Sequence, residues 1–173
     1  VIEDLWIRGN QELEAWKTAP LPELIAHIVE HYHLGARMEL ARIETFAEAA
    51  VLADGGDDPE RLELRDETAR FCREFRAHMA MEERSLFPTI LDLERRQAPA
   101  GPGELVHPLK KLLEDEHQAE VGLFQRLRDL AAAAAAAGAR EHPARLAQAL
   151  LAMEKSLYSH IFLENQVLFR RVD

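Results

Sequence analysis

The sequence predicts an all-α fold, a four-helix bundle in up-down-up-down order. Three observations predict it. Four long stretches carry the apolar spacing of amphipathic helices. Turn-forming clusters separate them, and no stretch alternates as a half-buried strand does. The first stretch runs from about Pro22 to Leu52, after Thr18-Ala-Pro-Leu-Pro22 and before Gly55-Gly56. The second begins at Asp57-Asp58-Pro59, an acidic cap with a proline in the first turn, and reaches Arg95-Arg96. Ala98-Pro-Ala-Gly-Pro-Gly103 is the clearest loop. The third stretch runs from about Glu104 to Ala137, and the fourth from about Pro143 to Asp173. Short loops make successive helices antiparallel neighbours. Residues 18–173 are read as the bundle. Residues 1–17 are read as an extension with a short helix, carrying Trp6, Leu13 and Trp16 as a lid along the bundle.

The 173 residues suit one domain, and 47% hydrophobic with 30% charged residues suits a core with a solvated surface. A formal net charge of -10 argues against nucleic acid or an anionic membrane surface as partner. The longest purely apolar run, Ala131 to Ala137, is far too short to span a bilayer. No signal peptide is visible, and Cys72 is the only cysteine, so no intrachain disulfide forms. The expectation is a cytoplasmic protein.

The most informative feature is an internal repeat. His78-Met-Ala-Met-Glu82-Glu-Arg-Ser-Leu86-Phe87 matches His160-Ile-Phe-Leu-Glu164-Asn-Gln-Val-Leu168-Phe169. A lone histidine precedes each on the helix before: His33, 45 residues ahead of His78, and His117, 43 ahead of His160. The chain reads as two helical hairpins, each supplying one His and then one His-x-x-x-Glu.

Residues four apart share a helix face, so His78 and Glu82 address one point, as do His160 and Glu164. The apolar stripes decide which face. They run Leu64, Phe71, Phe75, His78, Glu82, Leu86 on the second helix and Leu146, Leu150, Met153, Leu157, His160, Glu164, Leu168 on the fourth. His33 falls in Val29, His33, Ala36, Leu40, Ile43, and His117 falls with Leu113, Val121 and Phe124. Burying an ionised carboxylate costs several kcal/mol even after relaxation, and no Lys or Arg on these stripes is placed to neutralise two. Metal cations would. Two glutamates can bridge two ions while histidines fill terminal positions. Imidazole with carboxylate suits iron, manganese or zinc, and the lack of a nearby cysteine argues against a thiolate site.

A lone inward histidine is more often a hydrogen-bonded core residue, and one His-x-x-x-Glu is common on solvated faces. Two of them on apolar stripes, each with an inward histidine partner, favour metal. His27 and His31, four apart, could bind metal as a pair, but His31 lies about 200° from His33 for the two-residue step, taking 100° per residue, and both read as edge or solvent residues. His107 and His142 read as surface residues at helix starts. Glu83, Glu116 and Glu120 read as solvated neighbours of the site, and Cys72 as a small core residue.

From Trp16 to Arg171 the chain resembles hemerythrin-like (HHE cation-binding) domains, and among them the di-iron proteins for repair of iron-sulfur clusters. The resemblance is carried by Trp16-Lys-Thr-Ala-Pro-Leu-Pro-Glu-Leu-Ile-Ala-His-Ile, Tyr32-His33, His78 to Pro88, Glu114-Asp-Glu-His117 and His160 to Phe169. It implies two iron ions, with His33, His78, His117 and His160 as terminal ligands and Glu82 and Glu164 as bridges. By analogy His33 and His78 would serve one ion, His117 and His160 the other. Two departures stand out. Where the repair proteins have a further ligand histidine, this chain has Asp54, an oxygen donor. Their usual paired-cysteine module has no counterpart here, which puts cysteine-dependent delivery in doubt. The implied role is iron-sulfur cluster repair or nitric-oxide chemistry under nitrosative or oxidative stress, with nitric oxide or dioxygen as ligand and iron-sulfur proteins as clients. The alternatives are a non-enzymatic dioxygen- or iron-binding sensor, and a metal that only staples the bundle.

Overall fold

The computed structural model describes residues 14–52, 58–96, 103–136 and 141–172. These residues are helical nearly throughout, with no strand among them. The first bundle helix comprises α1 (Leu21–His27), a π-helical segment (Ile28–His33) and α2 (Leu34–Leu52). The second comprises α3 (Pro59–Met81), a π segment (Glu82–Leu86) and α4 (Phe87–Arg96). The third is α5 (Gly103–Ala136), unbroken although Pro108 lies inside it. The fourth comprises α6 (Glu141–Leu163), a π segment (Glu164–Leu168) and α7 (Phe169–Arg171). Asp54, Trp6 and Leu13 lie outside the described residues.

The ends follow from local chemistry. Asp58 caps α3, its side chain accepting from the Glu60 N–H at 3.0 Å, with Pro59 in the first turn. Arg61, buried at its head, reaches back to the Ala50 carbonyl at 2.9 Å and so satisfies a terminal carbonyl of α2.

The first helix packs beside the second and the fourth, and the third beside the second and the fourth, closing a four-sided bundle. Its core is two apolar clusters. One is built from Leu40, Ile43, Phe71, Phe75, Phe124 and Leu150 with their neighbours. The other is built from Leu24, Ile28, Leu86, Phe87, Leu163 and Phe169 with theirs. On every helix the inward histidine falls between residues of one cluster and residues of the other. A polar layer therefore divides the core at mid-height. Cys72 sits in the first cluster, fully buried, and burial, aided by the charge of Glu44, pushes its thiol up to about 12. It is a packing residue, not a nucleophile.

Candidate metal centre

The polar layer consists of His33, His78, His117, His160, Glu82 and Glu164, each at most 3% exposed. Among the described residues their donor atoms form two groups of four: His33, Glu82, His160 and Glu164, and His78, Glu82, His117 and Glu164. Within each group the donors lie within 4.8 Å of one another. Both glutamates belong to both groups, and each divides its oxygens between them. Glu82 Oε2 is 3.3 Å from His33 Nε2, and its Oε1 is 3.4 Å from His78 Nε2. Glu164 Oε1 is 2.8 Å from His160 Nε2, and its Oε2 is 3.1 Å from His117 Nε2.

These spacings and this donor set fit metal. Ligands at about 2.1 Å from an octahedral or tetrahedral ion stand about 3.0–3.4 Å apart. Both oxygens of Glu82 and Oε2 of Glu164 are buried without a hydrogen-bond partner, although imidazole nitrogens stand close by. Buried carboxylate oxygens normally find partners, and a cation in each group would serve all three.

The imidazoles are oriented from behind. His33 Nδ1 is 2.7 Å from Glu83 Oε1, His78 Nδ1 is 3.0 Å from Glu116 Oε2, and His117 Nδ1 is 2.9 Å from Asn165 Oδ1. Each acceptor draws the ring proton to Nδ1 and turns Nε2, with its lone pair, toward the shared carboxylates. Arg37 holds Glu83 in place at 2.8 Å. Burial pushes His33 and His78 down, but hydrogen bonds and charge from Glu164 and Glu82 on His33, and chiefly from Glu82 on His78, outweigh it, holding them at about 9 and about 10. His117 is raised as well, its burial outweighed chiefly by Glu164. Glu164 lies well below the usual carboxylate range: burial opposes this, and His160, His117 and His33 overcome it.

The repeat now has a physical meaning. In each hairpin, the residue after the glutamate holds Nδ1 of the histidine on the preceding helix: Glu83 for His33, Asn165 for His117. The repeated Phe backs that same ring. Phe87 stacks on His33 at 5.8 Å and Phe169 on His117 at 6.1 Å. Nine residues of α-helix would place Phe about 180° from its own His, at 100° per residue. The π segments begin at Glu82 and Glu164, with the Phe87 and Phe169 N–H groups bonding back to the carbonyls of those glutamates. The wider turn swings the Phe inward.

A model of the family described as "Hemerythrin HHE cation binding domain" matches residues 24–172. The chain belongs to this family. It is 28% identical over 162 residues to the iron-sulfur cluster repair protein DnrN of Neisseria gonorrhoeae, covering 93% of this chain and 97% of that one. Identity is 29% over 157 residues to the repair protein YtfE of Edwardsiella ictaluri, 90% of this chain and 67% of the relative. With the repair protein ScdA of Staphylococcus haemolyticus it is 24% over 151 residues, 87% of this chain and 66% of the relative. The chain thus spans about two thirds of two of these family members and nearly all of the third.

The six residues singled out in the sequence converge. Their grouping differs from the analogy: His33 faces His160 at 3.1 Å and His78 faces His117 at 3.0 Å between Nε2 atoms. The first and fourth helices present their histidines to one group, the second and third to the other. Glu120 is not solvated. It is 5% exposed, its Oε1 is 3.6 Å from His78 Nδ1, and burial raises it to about 7 against the pull of His78 and His117. Three residues past His117, it shares that inward face. Glu83 and Glu116 are partly exposed but bond ring nitrogens. Asn165 was missed, and its signal was its match to Glu83 in the repeat. His27 and His31 stand outside both groups, His107 is exposed and His142 half-buried.

Proposed function

We propose that this chain binds two iron ions and serves iron-sulfur cluster repair or nitric-oxide chemistry during nitrosative or oxidative stress, in the cytoplasm. The single observation that carries the metal reading is the sharing of Glu82 and Glu164 between two histidine pairs, each oxygen turned to a different pair. Glu82 and Glu164 would bridge, His33 and His160 would complete one site, and His78 and His117 the other. Asp54 is a further proposed oxygen ligand. The repair function is supported by the likeness to three iron-sulfur cluster repair proteins, and iron-sulfur proteins are the proposed clients.

Bound iron would supply one-electron redox chemistry and positions for a diatomic ligand. The chain's own residues do the rest. Glu83, Glu116 and Asn165 fix the imidazole tautomers, and the two apolar clusters exclude bulk water from above and below. Four imidazoles and two bidentate carboxylates give eight donor atoms, fewer than the twelve positions of two octahedral ions, so exchangeable positions remain. A cleft of about 180 Å³, lined by Tyr32, Gly35, Ala36, Phe75, Leu157 and His160 among others, leads to this layer from between the first and fourth helices. Its mostly apolar walls suit nitric oxide or dioxygen better than a charged substrate.

Stopped-flow mixing of the reduced, iron-loaded protein with nitric oxide tests the reading. A rapid change in the visible spectrum is expected. No change, with iron confirmed at two per chain, would turn the account toward storage or a structural metal.

A further inference from the structure

His27, in the last turn of α1, is half-buried in a row of rings. Trp16 stacks on it with centroids 4.3 Å apart and planes at 22°. Tyr32 meets its edge at 5.6 Å. Tyr32 in turn stacks on His160 at 5.6 Å, with planes 10° apart. Exposed His31 lies against both, 5.1 Å from His27 and 5.0 Å from Tyr32. Trp16 is itself half-buried, and its carbonyl accepts from Arg171 Nη1 at 2.9 Å, which ties the turn before α1 to the end of the fourth helix.

Packing alone does not call for this selection. Trp and Tyr are the two side chains that give up an electron most readily among the aromatics, and the sequence has only two of each. One of each lies in a single row that starts at the half-exposed Trp16 and ends on a proposed metal ligand. Offset stacks and edge contacts at these separations are favourable and well defined, so the row is held as one unit.

We propose that Trp16, His27 and Tyr32 form a one-electron path between the protein surface and His160. For its use, though not for the path itself, the proposal rests on the reading of the site as a redox metal centre. An oxidising equivalent left at the site by a peroxide is filled by an electron from Tyr32, whose phenolic proton passes to water. Trp16 refills Tyr32 through the His27 ring: the phenoxyl takes an electron from Trp16 and a proton from water, and the indole N–H proton goes to water. The exchange between Tyr32 and Trp16 is reversible: an external donor of the thiol or ascorbate class gives the Trp16 radical its electron and proton at the surface and so draws the exchange outward, whereas a radical generated at Trp16 runs it inward. The two residues are unchanged over the cycle.

Pulse radiolysis with azide radical, a selective oxidant of tryptophan, tests the path in the full chain carrying Trp6→Phe. With redox-inert zinc loaded, the indolyl radical of Trp16 should convert to a tyrosyl radical at a rate independent of protein concentration. Tyr32→Phe should abolish that step, Tyr158→Phe should leave it intact, and His27→Leu should slow it at least tenfold. With reduced iron loaded instead, the tyrosyl radical should decay faster than with zinc. The proposal is overturned if the conversion survives Tyr32→Phe, if His27→Leu leaves its rate unchanged, or if confirmed iron does not shorten the radical's life. Failure to bind iron at all would instead defeat the functional reading, while the zinc arm still decides the segment from Trp16 to Tyr32.

Discussion

His33 and His160, 127 residues apart in the chain, face each other with their Nε2 atoms 3.1 Å apart. Glu83 accepts a hydrogen bond from His33 Nδ1–H, so two ring nitrogens and the carboxylates beside them crowd one small buried volume. A proton can relieve that crowding, and a metal ion can relieve it better. The two compete, and several outcomes follow from the competition.

Removing a shared carboxylate should cost both ions, because each group of four loses a donor. Glu82→Ala and Glu164→Ala are expected to fall from two metals per chain to well below one by elemental analysis. Loss of a single ion with the other retained would mean that the carboxylate serves one site only.

The metal-free and metal-loaded forms should respond oppositely to alkali. The metal-free fold holds His33 at about 9 and His78 at about 10, against 6.5 when unfolded. Groups raised in this way add stability that is full below pH 6.5 and lost as the pH rises through about 9 to 10. Thermal melts of the chelated protein should therefore fall over that window. The depressed Glu164 acts at the other end, its contribution present above 4.5 and lost as the pH falls further. Metal binding displaces protons, so metal affinity should rise with pH across the range in which the metal-free fold weakens. Calorimetric melts with and without chelator check both trends.

The groups behind the imidazoles should matter nearly as much as the ligands. Glu83→Leu and Asn165→Leu each leave a ring nitrogen without its orienting acceptor, and a loss of about 10–100-fold in metal affinity is expected. Competition with a chromogenic chelator measures it. Glu83→Gln, which can still accept, should lose less.

Gly35 lines the cleft, and a Cβ placed there meets nothing within 4 Å. Gly35→Leu should fill the cleft without disturbing the core. The expected outcome is an unchanged metal content with a slower spectral response to nitric oxide, read by stopped flow.

The outer core offers a control. Phe71 is fully buried in the apolar cluster, stacked on Phe75 and tilted against Phe124. Phe71→Ala should cost about 3–5 kcal/mol by denaturant melts.

The bundle was legible because Asp58-Pro59 and the Gly/Pro loops announce helix ends locally, and because Leu64 to Leu86 and Leu146 to Leu168 keep helical period. The six inward polar residues stood out because Glu82 and Glu164 occupy positions where leucine belongs. What the sequence hid depends on geometry between helices. The pairing of His33 with His160 is set by which helices are neighbours and at what height their rings meet. The inward turn of Phe87 and Phe169 comes from π segments, which no 3.6-residue period reveals. Glu120, with a carboxylate on an otherwise polar run, looked like its solvated neighbours until burial beside His78 distinguished it.

Crystallography of the iron-loaded protein at the iron absorption edge tests the central claim most directly. Two anomalous peaks between Glu82 and Glu164 are predicted, one beside His33 and His160, the other beside His78 and His117. A single peak, or peaks at the surface with the six side chains unliganded, would contradict it.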